Sequence, residues 1–254
     1  MPSGWRSGVP DWFADESLWR EVFPFEFSDA TLAHGEVQVD RVIALSGVNT
    51  GAVLDLGCGP GRHAVPFAQR GFDVTALDLS AFHLEKAKER AAAAGVAVEF
   101  VQGDMRAFAR QNTFDLAINL FTSFGYFADD RDDARILQNL HASLKPEASL
   151  VMDVVSKERI AKVLQSTVSQ RAPDGTLRVQ RHDITDDWTR VRNEWLFIKD
   201  DRVRTFTFSL RIYAGQELKA LVATAGFRKV TLYGALDGRP YDADAERLVV
   251  VAVK

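Results

Sequence analysis

The sequence predicts an α/β fold: a doubly wound, mostly parallel seven-stranded sheet with an antiparallel β insertion after the fifth strand and a helical lid at the N-terminus. Three observations lead there. From Gly51 to Val155, short apolar runs alternate with helix-length segments, the pattern of right-handed βαβ units around a parallel sheet. After Val155 strand-like runs succeed one another across Asp-rich turns. The first 30 residues are aromatic and acidic, with Trp5, Trp12, Phe13, Trp19, Phe23, Phe25 and Phe27 among Asp and Glu. Such a segment packs on the core as helix, covers a ligand pocket, or does both.

Taken in order, Glu36 to Leu45 carries Val39, Val42 and Ile43 at helical spacing. Ala52 to Leu56 is a first strand ending in glycines, and the helix behind it runs to about Arg70. Pro66 inside that helix breaks a local rule, since it removes a backbone donor. Phe72 to Leu77 is a second strand. Ser80 can cap a helix that stops at Gly95. Val98 to Gln102 and Phe114 to Leu120 are the third and fourth strands. Asp130 to Leu144 places Leu137, Leu140 and Leu144 on one helical face, and Ser149 to Val155 is the fifth strand.

Leu177 to Ile184, Val191 to Lys199 and Val203 to Tyr213 then read as an antiparallel meander. In its last strand Phe206, Phe208, Leu210 and Ile212 alternate at period two. A helix from Gly215 to Ala225 and strands at Lys229 to Tyr233 and Arg247 to Val253 return the chain to the sheet. The organisation is a lid (1–30), a ligand-binding α/β core (31–156), the β insertion (157–213) and a C-terminal part completing the core sheet (214–254).

Composition narrows the function classes. Hydrophobic residues are 46% and charged residues 26%, ordinary for a globular chain with a sizeable core. A net charge of −4 and a pI near 5.8 argue against nucleic acid as a partner. One cysteine, Cys58, excludes an internal disulfide, and no Cys/His cluster suggests a metal. Met1 to Pro10 lacks an apolar signal core, and no apolar run approaches the roughly 18 residues a membrane span needs. The expectation is a cytoplasmic monomer or homodimer with no membrane partner.

The chemistry-bearing segment is Val53-Leu54-Asp55-Leu56-Gly57-Cys58-Gly59-Pro60-Gly61. Glycines at a first strand end let backbone approach a ligand beside a helix N-terminus. Dinucleotide sites require G-x-G-x-x-G, whose third glycine would here fall on Arg62, far too large. Gly57, Gly59 and Gly61 form a tighter G-x-G-x-G. Asp78 closes the second strand, where a carboxylate can accept both hydroxyls of a ribose. Asp104 ends the third strand, and Phe114 to Phe121 forms the fourth strand and its exit.

Together these segments resemble the ordered motifs of class I S-adenosylmethionine-dependent methyltransferases, a family with a Rossmann-like sheet. The resemblance implies S-adenosylmethionine as cofactor and S-adenosylhomocysteine as product. It assigns the cofactor to Asp55, Gly57, Cys58, Gly59 and Gly61 in the loop, to Asp78 at the ribose, and to Leu79 beside it. It adds Asp104 and Met105 at the adenine, and Asn119 and Leu120 at the methionine part. Ser123 to Phe127, Arg211 to Tyr213 and Leu236 to Tyr241 are similar to a bacterial small-molecule subgroup, the glycine/sarcosine-type and amino-sugar N-methyltransferases. Glu147-Ala148 departs from the family, which commonly has two glycines after Lys-Pro, and so puts the local turn type in question.

The expected reaction is transfer of a methyl group to a nitrogen or oxygen of a small-molecule acceptor by in-line displacement, where proximity and orientation dominate. The sequence offers no convincing base, and His34 and His63 are read as structural or cofactor-adjacent. Tyr126, Arg211, Tyr213 and Tyr241 are candidates for the acceptor pocket, with core packing or a surface ion pair as the alternative for each. A nicotinamide-dependent oxidoreductase and a non-catalytic cofactor-binding protein are the competing readings.

Overall fold

The computed structural model describes residues 11–254. Trp5 and the segment Met1 to Pro10 lie outside the described residues. A short helical turn at Trp12–Ala14 leads into helices α1 (Glu16–Glu26) and α2 (Asp29–Ser46). Asp15 and Ser28 cap them by accepting the Ser17 and Thr31 amides. Strands β1 (Ala52–Leu56), β2 (Asp73–Asp78), β3 (Glu99–Gln102), β4 (Phe114–Asn119) and β5 (Leu144–Val154) then alternate with α3 (Ala64–Gln69), α4 (Ala81–Ala94) and α5 (Asp130–Ser143). Next come α6 (Lys157–Val163), β6 (Thr167–Arg171), β7 (Leu177–Thr185), β8 (Arg190–Lys199) and β9 (Arg202–Arg211). Helix α7 (Gly215–Thr224) and strands β10 (Arg228–Tyr233) and β11 (Leu248–Val253) finish the chain.

The main sheet has seven strands in the order β10-β11-β5-β4-β1-β2-β3, parallel except for β11, which runs antiparallel to both neighbours. One face is covered by α2, α3 and α4 through Val39, Val42, Phe67 and Leu84. The other is covered by α5 and α7 through Ile136, Leu137, Leu140, Leu218 and Val222. Helix α5 is otherwise mostly polar, so it docks through Ile136, Leu137 and Leu140, each contributing roughly 1.5–3 kcal/mol on burial. Among the described residues no helix is long and apolar enough to cross a membrane.

The insertion is a four-stranded antiparallel sheet, β6-β7-β8-β9, one strand larger than the meander the sequence predicts. Its apolar face packs on α1: Leu18, Val22 and Phe25 meet Ala172, Phe197 and Phe208. The period-two face of β9 is thus the one turned toward the N-terminal helix.

Two local expectations change. Helix α3 starts only at Ala64, so Pro66 falls in its first turn, where backbone amides have no intrahelical partner and a proline forfeits nothing. Strand β5 starts at Leu144, and Glu147 takes a left-handed φ of +62° within it. The backbone there takes a left-handed conformation that glycine adopts freely, with a glutamate bearing the strain.

Candidate active site

Strand order reverses between β1 and β4, and the carboxyl ends of β1 to β4 open into one cleft of about 370 Å³. Small-ligand sites span roughly 300–1,000 Å³. At the floor, Gly57 has φ +77°, and the Gly57 and Cys58 amides both donate to the Leu77 carbonyl at 2.8 and 3.0 Å. A Cβ on Gly57 would lie 2.9 Å from Ser123 Cβ. The loop is therefore pressed between the ends of β2 and β4 with no room for a side chain.

Asp78 joins the two loops beside it. Its Oδ2 accepts the Gly59 amide at 2.8 Å and its Oδ1 the Ser80 amide at 2.9 Å. Each oxygen keeps a second lone pair for a hydroxyl donor. Asp104 also lines the cleft, yet its carboxylate already accepts from Arg106 Nε and Nη2, the latter at 2.6 Å. Burial raises the Asp104 carboxyl, but the bonds from Arg106 outweigh it and hold the group below its ordinary value. Cys58, Leu79, Met105 and Leu120 line the same cleft. Burial pushes the Cys58 thiol far up, so it stays protonated and inert.

Asp55, Gly61 and Asn119 stand behind the cleft rather than in its wall. Asn119 Nδ2 donates to the Leu56 and Ser123 carbonyls at 2.8 and 3.3 Å, tying the glycine loop to the exit of β4. A Cβ on Gly61 would touch Ala87 Cβ at 3.2 Å, so Gly61 lets α4 close on the loop. Asp55 is 1% exposed, and burial together with the charge of Asp78 pushes its carboxyl up to about 7.

That shift makes a prediction about stability. An unfolded aspartate titrates near about 3.9, so between there and pH 7 the native state holds a proton that the unfolded chain has lost. Stability should be highest below that window and fall as pH rises through it. Asp133, pushed up to about 6 by burial, adds in the same direction. Asp55→Asn is expected to flatten the fall in urea denaturation series between pH 4 and 8; an unchanged slope would remove Asp55 as its source.

The roof comes from two distant stretches. Arg178 of β7 is 4% exposed, pairs with Glu26 of α1, and lies 4.6 Å above the Phe25 ring and 5.3 Å from that of Trp195. Trp12 stacks on Phe208 at 4.5 Å and donates its Nε1–H to the Tyr126 carbonyl at 3.4 Å. The N-terminal segment and the insertion thus close over the cleft as one layer.

The four candidates for an acceptor pocket do not share one. Tyr126 lines the cleft. Arg211 and Tyr213 line a second cavity of about 240 Å³, where Arg211 pairs with Asp130 and the Tyr213 hydroxyl donates to the buried Asp133 at 2.5 Å. Tyr241 lines neither cavity and donates to Glu158 at 2.9 Å. A buried carboxylate needs a donor, and that need orients Tyr213. His34 is exposed on α2. His63 is buried, 2.8 Å from Gln38 Oε1, and pushed down to about 3 by burial and the neighbouring Arg62 charge. Glu26, Arg62, Arg178, Gln180 and Trp195 also line the cleft, and no sequence motif marked them.

Comparison with known proteins adds the following. Residues 53–147 match the family described as methyltransferase domain. The chain is 32% identical over 139 residues to a putative methyltransferase of Bacillus subtilis, YqeM, and spans about half (53%) of that protein's length. It is 27% identical over 205 residues to a glycine/sarcosine N-methyltransferase of Halorhodospira halochloris, covering 80% of this chain and 75% of that one. Among solved structures, an amino pentose methyltransferase of Micromonospora echinaspora, CalS10, superposes with a TM-score of 0.65 at 25% identity, covering 94% and 95% of the two chains. An S-adenosylmethionine-dependent methyltransferase of Clostridium acetobutylicum shares the fold, with a TM-score of 0.76 at 15% identity over 93% and 97% of the two chains.

Proposed function

From a chain that carries a class I S-adenosylmethionine-dependent methyltransferase domain, we propose that the whole protein methylates an amine nitrogen of a small-molecule acceptor. The cofactor is S-adenosylmethionine, which when bound supplies an electrophilic methyl group on a sulfonium. The residues present fit it. The side-chain-free cradle at Gly57, a carboxylate at the end of β2 with lone pairs to spare, and a cleft of about 370 Å³ are what an adenosyl ligand with a ribose diol requires. In this reading Asp78 accepts from the ribose, and Met105 and Leu79 flank the base. Asp104, already turned onto Arg106, shares its oxygens with the adenine amino group. The loop Leu120 to Ser123 lies along the amino-acid part.

The observation that favours nitrogen over oxygen is the protonation state of the cleft wall. A hydroxyl acceptor needs a base in the transition state, whereas an amine attacks with its own lone pair. His63 is depressed to about 3 and engaged with Gln38. Burial pushes the Tyr126 phenol up, away from ionisation. Glu26 is spent on Arg178. His83 stands 3.9 Å from Asp78, at the ribose end. What remains for the acceptor is an aromatic wall from Trp19, Tyr126 and Trp195, which positions the acceptor and excludes water. The test is incubation with methyl-labelled S-adenosylmethionine and paired amines and alcohols of matched carbon skeleton. Label is expected in amines; label confined to alcohols would overturn the assignment of nitrogen.

A further inference from the structure

Arg62 follows the glycine loop and is 5% exposed. Its Nε and Nη1 are buried with no hydrogen-bond partner, and the side chain lines the main cleft. Its guanidinium lies 4.4 Å above the Phe121 ring, at the end of the cleft formed by the exit of β4 and away from Asp104. The carboxylates whose charge it feels, Asp153 and Glu26, are both committed elsewhere: Asp153 receives Arg247 at 2.6 Å and Glu26 receives Arg178. Among the described residues Arg62 is thus a buried cation with no carboxylate paired directly to it. Burial accordingly pulls its guanidinium below its ordinary value, though not to the point of deprotonation. Leaving such a group uncompensated is costly, and a structure that does so in the wall of a cleft is shaped for an incoming anion.

The chain also builds space to hold Arg62 there. On α2, a Cβ at Gly35 would lie 2.2 Å from the Arg62 carbonyl oxygen and 3.0 Å from Arg62 Cγ. A glycine inside a helix is less stable than an alanine, so this position gives up helix stability for close approach. Pro66 adds to the arrangement: lacking an amide hydrogen, it makes no claim on the Arg62 carbonyl four residues before it, which faces α2 instead.

We propose that Arg62 is the receptor for a carboxylate at this end of the cleft. The inference rests on the methyltransferase reading, which supplies two carriers for that group: the amino-acid end of the cofactor, or an acceptor that is itself an amino acid or similar acid. Calorimetry with wild type, Arg62→Met and Arg62→Lys separates them. The probes are S-adenosylhomocysteine, 5′-methylthioadenosine (the same adenosine and thioether without the amino-acid end), and acetate titrated onto S-adenosylhomocysteine-saturated protein.

If the cofactor carries the carboxylate, Arg62→Met weakens S-adenosylhomocysteine by roughly 10- to 100-fold, the loss expected for charge-assisted hydrogen bonds, and leaves methylthioadenosine within about twofold. Arg62→Lys recovers part of the loss. If the acceptor carries it, both nucleosides bind normally, and acetate binds wild type but not Arg62→Met. Equal weakening of both nucleosides, or no change with any probe, overturns the proposal. Gly35→Ala supplies an independent variant that displaces Arg62 without removing its charge and should reproduce the direction of the Met substitution. Should wild type bind neither nucleoside, the methyltransferase reading itself fails, an outcome distinct from failure of the Arg62 assignment.

Discussion

Gly57→Val is expected to abolish cofactor binding, by more than about 100-fold, in a protein that still folds. Two independent costs combine. The residue sits at φ +77°, a left-handed conformation that costs an ordinary residue roughly 1–2 kcal/mol and a β-branched one more. Its Cβ would also stand 2.9 Å from Ser123 Cβ, and Ser123 cannot retreat freely because its carbonyl is held by Asn119 at 3.3 Å. The loop must either move into the cleft or push the exit of β4 away, and both change the space the cofactor occupies. The hydrophobic layers on the two faces of the sheet do not involve Gly57, so the far-ultraviolet circular dichroism should remain native. Calorimetric titration with S-adenosylhomocysteine measures the loss, and Gly57→Ala should lie between wild type and the valine variant. Near-normal affinity in Gly57→Val would mean that the cofactor does not rest against this loop.

Asp153→Ala is expected to lower turnover by about 100-fold and to weaken cofactor binding as well, because the exit of β4 flanks the cofactor's amino-acid part. Phe121 and Thr122 are consecutive non-glycine residues at φ +59° and +63°, a strained pair at the exit of β4 and in the cleft wall. Asp153 holds them: its Oδ2 accepts the Phe121 amide at 3.3 Å and its carbonyl the Thr122 amide at 2.9 Å. Its Oδ1 also accepts from Arg247, which in turn donates to the Thr122 hydroxyl at 2.9 Å. Removing the carboxylate releases the Phe121 amide, leaves Thr122 held only through the backbone carbonyl of residue 153, and leaves Arg247, a quarter exposed, without its carboxylate partner. Breaking a fully buried pair costs about 3–5 kcal/mol, so this partly exposed one should cost roughly 2–3 kcal/mol. A displacement near 1 Å in a group that aligns the reactants is enough for the loss of rate. Single-turnover methyl transfer beside thermal denaturation checks both effects, and Asp153→Asn, which keeps an acceptor for Arg247, should recover part of each. Turnover unchanged in Asp153→Ala would mean that the exit of β4 does not align the reactants.

The parts of this molecule governed by short-range rules were legible in the sequence. The strands from Ala52 to Val154 announce themselves as apolar runs, Ser80 caps α4 from its place before the helix, and the buried face of β9 follows from alternation alone. Strand β6 was not legible, because Thr167 to Arg171 is exposed along its whole length and belongs to the sheet only through pairing with β7. The cleft divides the same way. Gly57, Gly59, Asp78 and Asp104 lie at strand ends and could be placed by counting. Arg62 could not, since its place in the wall depends on Gly35, and Arg211 and Tyr213 were drawn to another cavity by acidic residues some 80 positions away. Side chains oriented by partners far along the chain leave no periodic trace.

The roof over the cleft has a consequence for the order in which the protein can be made. Glu26 and Arg178 are separated by 152 positions, so the contact that seals α1 to the insertion cannot exist until β7 has left the ribosome. Strands β1 to β4, joined by shorter crossovers, can pair before then, and closing long loops is the slow part of folding. During synthesis the apolar face of α1, with Leu18, Val22 and Phe25, has nothing to cover it. A nascent chain halted before β7 should therefore show a protected α/β core and a protease-sensitive N-terminus. The glycine loop would already be formed while the enclosure around it is not, making the ligand cleft one of the last features of the molecule to close.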